Sequence, residues 1–374
     1  MNSKEIIEKL LRQADVKING DRPWDIKVLD ERFYDRVLSQ GTLGLGESYM
    51  DSWWECEKLD EMICRVLRVG GENLVSKNLL IILHVIKAKI FNLQTKKGAK
   101  KVTLEHYDIG DDLYMAFLDP YSQYTCAYFK DTDDLNKAQE NKMDLICRKI
   151  QLKSTDRVLD IGCGWGGFAR WMAEKYKCSV VGINLAKGQV EYAKKHISTP
   201  LVEIRNMDYR DVPKLVSGKF DKVVSIGMME HVGYKNHRTF MKVVREMIKP
   251  DGLFLLHHCA RDTSSSTAEP WIEKYIFPGA VTPSPLQLTK SFEGIFVLED
   301  WHNMGAHYDP TLMAWYKNFE KSWPKFKNEY GHRFFRMFRY YLLAFAGAFR
   351  ARDMHLYQTV FSPNGVIGGY ESVR

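Results

Sequence analysis

From Arg157 onward, short apolar runs alternate with stretches of helical length and amphipathic pattern. The runs RVLDIG, SVVGIN, LVEIRNMD, FDKVVSIG, LFLLHHC and IFVLEDWHNMG predict strands, and their alternation with helices predicts a doubly wound α/β sheet. Residues 1–93 read differently, as short helices around one loop rich in glycine and aromatics, QGTLGLGESYMDSWWE. A linker is expected over 94–103, and a second unit over 104–374. That unit begins with a helical approach, EHYDIGDDLYMAFLD, and an aromatic segment, PYSQYTCAYFK. Between His258 and Ile295 the alternation is interrupted by SSSTAEPWIEKYIFPGAVTPSP, too long for an ordinary connection, which predicts a lid around 259–294.

The first strand runs directly into a glycine turn, VLDIGCGWGG (158–167), followed by the helical stretch FARWMAEKYK. Val158, Leu159 and Ile161 supply the buried strand, while Gly162, Gly164, Gly166 and Gly167 lack the Cβ atoms that would hold a ligand away. Ligands of open α/β sheets bind outside the carboxyl ends of the strands, so a nucleotide-like cofactor is expected here. The spacing of Gly162, Gly164 and Gly167 fits a dinucleotide as well as S-adenosylmethionine. Asp160 favours the second, because its carboxylate can meet an amino group and would repel a pyrophosphate. The next strand ends in Asn184, not in the acidic residue that usually binds a ribose diol, which weakens both readings. Asn184 and Gln189 can still hydrogen-bond a ribose.

Composition narrows the class. The chain has 374 residues, 45% of them hydrophobic, enough for one large core or two unequal ones. The start, MNSKEIIEKLLRQADV, reads as a charged amphipathic helix and not as a signal peptide, and LLIILHVI is far too short to span a bilayer. Seven cysteines with no CxxC pair or zinc-ligand spacing point to a reducing, cytoplasmic compartment and to no metal. The net charge of +7 is uneven: Leu74–Val102 holds seven lysines and no acid. An apolar helix there, followed by Lys96, Lys97, Lys100 and Lys101, has the composition of an interfacial helix, or equally of a core helix and a solvated linker. Gly331–Arg352, also free of acids, is rich in aromatic rings and reads as core. No nucleic-acid-binding motif is present, so nucleic acid is not expected as a partner.

VLDIGCGWGG, QYTCAYF, GMMEHVG, WIEKYIFPG and DWHNMGAHYDPTLMAWY together closely resemble the cyclopropane fatty acid synthases, as do GLGESYMDSWWE and AGAFRARD near the two ends. The resemblance spans nearly the whole chain. It implies a Rossmann-like methyltransferase domain with a smaller, mainly helical N-terminal domain that docks lipid. It also implies an activity: S-adenosylmethionine provides a methylene bridge across the cis double bond of an acyl chain in membrane phospholipid. The implied partners are the bilayer surface, the unsaturated acyl chain and a second copy of the chain in a homodimer. The implied location is the cytoplasm, peripherally on the inner face of the membrane.

The same resemblance implies residue roles. Members of the family hold bicarbonate as the base, and its ligands match Cys126 in QYTCAYF, Glu230 in GMMEHVG, His257 in LFLLHHC and Tyr308 in GAHYDP, with the backbone of Cys259 completing a nest. Such a site works if His257 and Tyr308 donate to the anion and Glu230 accepts the bicarbonate hydroxyl. For the cofactor, the matches are Tyr124 and Thr125 at the methionine end, Asp160, Gly162 and Gly164 around it, Asn184 and Gln189 at the ribose, and Asp208 or Tyr209 at the adenine. Tyr124, Tyr128, Tyr308 and Trp315 are candidate aromatic faces for a cation on the acyl chain. Some family members carry cysteine at the position of Phe345; phenylalanine here excludes a thiolate at that place. An enzyme that methylates the double bond without closing a ring, and a catalytically silent lipid carrier, are the alternatives.

Overall fold

The computed structural model describes residues 2–70 and 110–374. They form two compact units, neither continuous in sequence. The first comprises the described part of Met1–Phe91 with Ser266–Pro278 and Tyr308–Met354; the second comprises the described part of Asn92–Ser265 with Gly279–His307 and His355–Arg374. The boundaries expected at 93 and 103, and the basic stretch Leu74–Val102, lie outside the described residues.

In the first unit, the expected N-terminal helix spans Ser3–Gln13 and is closed by a capping box between Asn2 and Glu5. Two short antiparallel strands, β1 (Lys27–Val28) and β2 (Trp54–Glu55), flank helices Arg32–Gln40 and Thr42–Met50. The glycine-rich stretch expected as a loop is therefore largely helix. Its glycines serve close approach: a Cβ on Gly46 would run into the indole of Trp271, and one on Gly44 into the carbonyl of Arg36. Trp271 sits on the short helix Pro270–Tyr275 and packs edge-on against Tyr340 at 4.7 Å. Tyr340 belongs to Lys327–Ala351, the acid-poor aromatic stretch, whose helix is broken at Gly331 (φ 74°) and buried along its second part. Among the described residues, no helix is long and apolar enough to cross a membrane.

The second unit is built on seven strands: β3 (Arg157–Ile161), β4 (Ser179–Asn184), β5 (Val202–Asn206), β6 (Phe220–Ile226), β7 (Ile248–Ala260), β8 (Val297–Asn303) and β9 (His355–Ser362), in the order β5-β4-β3-β6-β7-β9-β8. β3 to β7 are parallel, while β9 lies antiparallel between β7 and β8. The six expected strands are present. β9, HLYQTVFS, is additional, and all eight of its positions are buried, so no alternation marks it in the sequence.

Two cores cover the two faces of this sheet. Leu159, Ile161, Phe254, Leu256 and Phe361 face one, and Val158, Leu253, Leu255 and Val360 face the other, packed against Met143, Ile146 and Met172. Alternation along each strand therefore puts Asp160, His257, Cys259 and Gln358 on the second face, beside the helix Leu135–Lys149. Of the span 259–294 expected as a lid, only Ser266–Pro278 leaves this unit. Cys259 and Ala260 end β7, and the helix Pro285–Phe292, opened by a capping box at Ser284, buries Leu288 in the first core.

Candidate active site

β3 delivers the chain into the glycine turn at the carboxyl edge of the sheet, where Gly162, Gly164 and Gly166 take φ values of 87°, 55° and 77°. The glycines answer different needs. A Cβ on Gly167 would coincide with the carbonyl of Tyr121, and one on Gly162 would press on Met228 at 3.0 Å. A Cβ on Gly164 would meet no protein atom within 4 Å. Gly164 thus borders open space that a side chain would fill, which is the cradle a nucleotide-like ligand needs.

Asp160, just before the turn, is buried; burial pushes its carboxyl up to about 7, opposed by the charge of Lys142. Asn184, at the end of β4, donates its amide to the Gly164 carbonyl at 3.3 Å and to Gln189 Oε1 at 2.8 Å, so both expected ribose ligands are tied to the turn. Of the two residues expected at the adenine, Asp208 commits its carboxylate to Arg210, at 2.8 Å from Nε and 2.6 Å from Nη2. Tyr209 packs its ring on Phe240 at 5.3 Å in the core. Tyr124 and Thr125 are half-buried, the first edge-on against Tyr114, whose ring in turn meets Trp165 of the glycine turn.

Of the residues expected at the base, Glu230, His257 and Cys259 stand at the ends of β6 and β7. Glu230 lies on the one-turn helix Met229–Val232 that follows β6. Its Oε1 accepts the Cys259 N–H at 2.6 Å, while Oε2 is buried without a hydrogen-bond partner, and burial raises its pKa. The Cys259 amide, expected to complete an anion nest, therefore serves Glu230. His257 has Gln358 Nε2 3.2 Å from its Nδ1 and leaves Nε2 buried and unpartnered. Burial first, then Lys142, His258 and Lys149, hold its pKa well below the usual value, so the ring is neutral at neutral pH. Cys126 is buried, its thiol 3.2 Å from the Ala127 carbonyl and within electrostatic reach of Lys142 and Cys259. Tyr308 opens the helix Tyr308–Ser322 in the first unit, its ring against Trp315 and Phe349. Phe345 packs on Tyr341 in the same unit.

Three residues here carry no sequence signal of function. Gln139 Nε2 donates to the Gln123 and Thr125 carbonyls, at 3.3 and 2.8 Å, and Lys142 Nζ donates to Gln123 Oε1 and Thr125 Oγ1, at 2.7 and 2.9 Å. Gln358 supports His257. In a single sequence Gln139 and Lys142 look like a solvated helix face, and Gln358 like any strand residue. Among the described residues, no group of three or more His, Cys, Asp or Glu side chains could hold a metal ion.

Residues 94–359 match the family model of mycolic acid cyclopropane synthetases. The cyclopropane-fatty-acyl-phospholipid synthase of Escherichia coli strain K12 is 50% identical over 373 residues, covering 100% of this chain and 96% of that one. The chain belongs to the cyclopropane-fatty-acyl-phospholipid synthase family. Solved synthases share the fold. The cyclopropane synthase MmaA2 from Mycobacterium tuberculosis superposes with a TM-score of 0.65 at 27% identity, covering 72% of this chain and 99% of that one. The mycolic acid cyclopropane synthase CmaA1, complexed with SAH and CTAB, does so with 0.64 at 25% identity, covering 70% and 97%. For a member of this family, the glycine turn, Asp160 and the Glu230–Cys259–His257 cluster stand on one α/β unit, at the carboxyl ends of neighbouring strands.

Proposed function

We propose that this synthase transfers a methylene group from S-adenosylmethionine to the cis double bond of an unsaturated phospholipid acyl chain, closing a cyclopropane ring. The observation that carries it is the 50% identity with the Escherichia coli synthase over almost the whole of both chains. S-adenosylmethionine, when bound, supplies the electrophilic carbon. Gly164 leaves room for it, Asp160 suits its amino end, and Asn184 and Gln189 present amides for the ribose; Tyr124 and Thr125 border the methionine end, and Asp208 or Tyr209 the adenine.

An alkene is a weak nucleophile, so holding it in line with the donor matters most; orientation of this kind lowers a barrier by ~7–11 kcal/mol. The cation that forms on the acyl chain then needs shelter from water and a base for one proton. We infer that Cys126, Glu230, His257 and Tyr308 hold a bicarbonate ion, which supplies that base. The support is chemical: Glu230 Oε2 and His257 Nε2 are buried without partners, one an acceptor and the other able to donate. The Cys259 N–H fixes the glutamate. Peripheral docking on the inner face of the membrane, and a homodimer, belong to the same proposal.

Lipid mass spectrometry of cells expressing the protein tests the activity, the product gaining CH2 and losing its alkene; an alkene retained in a methylated product overturns ring closure. For the base, Glu230→Gln should lower turnover far more than S-adenosylmethionine affinity. Stripping carbonate should slow the parent enzyme and adding it back should restore the rate. An unchanged rate in carbonate-free buffer would make Glu230 itself the candidate base.

A further inference from the structure

The helix Leu135–Lys149 buries a polar stripe against the sheet face that carries Asp160 and His257. Lys142 is fully buried on it, and its ammonium donates to Gln123 and Thr125, while Gln139 one turn earlier grips the backbone carbonyls of the same two residues. Side chain and backbone of Gln123–Thr125 are thus held by one helix. That segment contains Tyr124 and Thr125, proposed above to border the methionine end of the cofactor, and leads directly into Cys126. Asp119 before the segment, Cys126 after it, Asp160 on β3 and His257 on β7 lie within electrostatic reach of the ammonium.

A buried ammonium is costly unless its charge is used, and apolar replacements of buried ions are often neutral or stabilising. Structural anchoring alone would be met by a neutral donor such as glutamine. What a neutral donor cannot supply is a positive charge facing Asp160.

We propose that Lys142 is a positioning residue for the transfer reaction: it fixes the Gln123–Cys126 segment and keeps the Asp160 carboxylate ionised to receive the amino end of the cofactor. This rests on the reading of Asp160 as a cofactor ligand. Burial lowers the Lys142 pKa to about 8, so the ammonium remains charged at neutral pH, where the buried Asp160 is close to its own midpoint. Removing the charge raises the Asp160 pKa further, so the carboxylate takes up its proton at higher pH and loses its attraction for an ammonium there.

The test is calorimetric titration of S-adenosylhomocysteine between pH 6 and 9 into the parent, Lys142→Gln, Lys142→Met and Asp160→Asn. Lys142→Gln keeps a donor without the charge, and Lys142→Met removes both. The expected result is an acid-side midpoint of binding about one pH unit higher in both lysine variants, equal to a tenfold weaker affinity below the midpoint, with affinity near the parent's at pH 9 in Lys142→Gln. Asp160→Asn should bind weakly at every pH and show no such midpoint. A midpoint unmoved in Lys142→Gln, or an equal loss at all pH values, overturns the proposal for Lys142. Parent-like affinity in Asp160→Asn overturns the cofactor role of Asp160 itself. If Lys142→Met does not fold, Lys142→Gln decides; if neither folds, the role of Lys142 is structural and the proposal falls.

Discussion

Gln358 on β9 stands directly opposite His257 on β7 in the antiparallel register, with its Nε2 3.2 Å from the ring Nδ1. Both are buried, and the imidazole is neutral, so its two nitrogens divide one donor and one acceptor between them. With the Gln358 amide donating to Nδ1, the ring proton sits on Nε2, the nitrogen without a protein partner. Nitrogen-15 NMR of the ligand-free protein should show His257 as the Nε2–H tautomer. Gln358→Leu should mix the tautomers and lower turnover by ~10-fold, the effect of one lost hydrogen bond, with S-adenosylhomocysteine affinity unchanged. An Nδ1–H ring in the parent sinks this account.

The glycine turn offers a paired comparison. Gly164→Ala and Gly164→Val should fold, with a strain of ~1–2 kcal/mol for the left-handed backbone, and should lose cofactor affinity because the side chain enters open space. Gly167→Ala should fail differently, since its Cβ meets the Tyr121 carbonyl and destabilises the fold itself. Calorimetry and thermal melting separate the two; Gly164→Val binding within a factor of about two of the parent would remove the turn from the cofactor site.

Buried histidines set a pH signature. Burial lowers His231, His237 and His258 to about 4. Between their ordinary pKa of 6.5 and 4 the unfolded chain binds more protons than the folded one, so their contribution to stability is complete above 6.5 and declines as the pH falls. Each adds a slope of up to ~1.4 kcal/mol per pH unit. Asp119, Asp160 and Glu230, with raised pKa values, act in the opposite sense. His237→Leu should therefore lose stability less steeply than the parent between pH 6.5 and 4 in urea titrations. Parallel curves would mean that His237 is not held neutral.

In the first unit, Glu47 gathers Arg36, Lys274 and Tyr275. Burial alone would raise its carboxyl, but Lys274, Tyr275 and Arg36 hold it down at about 2, so this contribution to stability is present above the ordinary carboxyl pKa and disappears only in strong acid. Glu47→Gln should loosen Ser266–Pro278, and limited proteolysis should cut there sooner than in the parent. Equal cutting rates would assign the anchoring to Trp271 alone.

Membrane docking through Leu74–Val102 has its own check. Reversing Lys96, Lys97, Lys100 and Lys101 to glutamate should weaken sedimentation with anionic vesicles and leave cofactor affinity intact, and added salt should reproduce part of the loss. Unchanged sedimentation would make this stretch a solvated linker.

The sequence by itself determined the α/β class and the strand that runs into a glycine turn, because apolar runs and glycines act locally: Val158, Leu159 and Ile161 form the buried strand that the string implies, and Gly164 stands in the turn that follows it. Motif resemblance brought Glu230, His257 and Cys126 forward together. Other features depended on partners distant along the chain. Gly44 and Gly46 looked like loop residues because the atoms they approach, on Arg36 and Trp271, are set by packing. β9 was hidden because a strand buried on both faces has no alternating pattern. The Cys259 amide looked available to an anion until the fold brought Glu230 against it. Nothing in the string marks Lys142 and Gln139, and only tertiary burial makes them the clamp on Gln123 and Thr125. Hydrophobic pattern reports what a residue prefers, whereas a buried charge is defined by the groups that enclose it, and those come together only when the chain has folded.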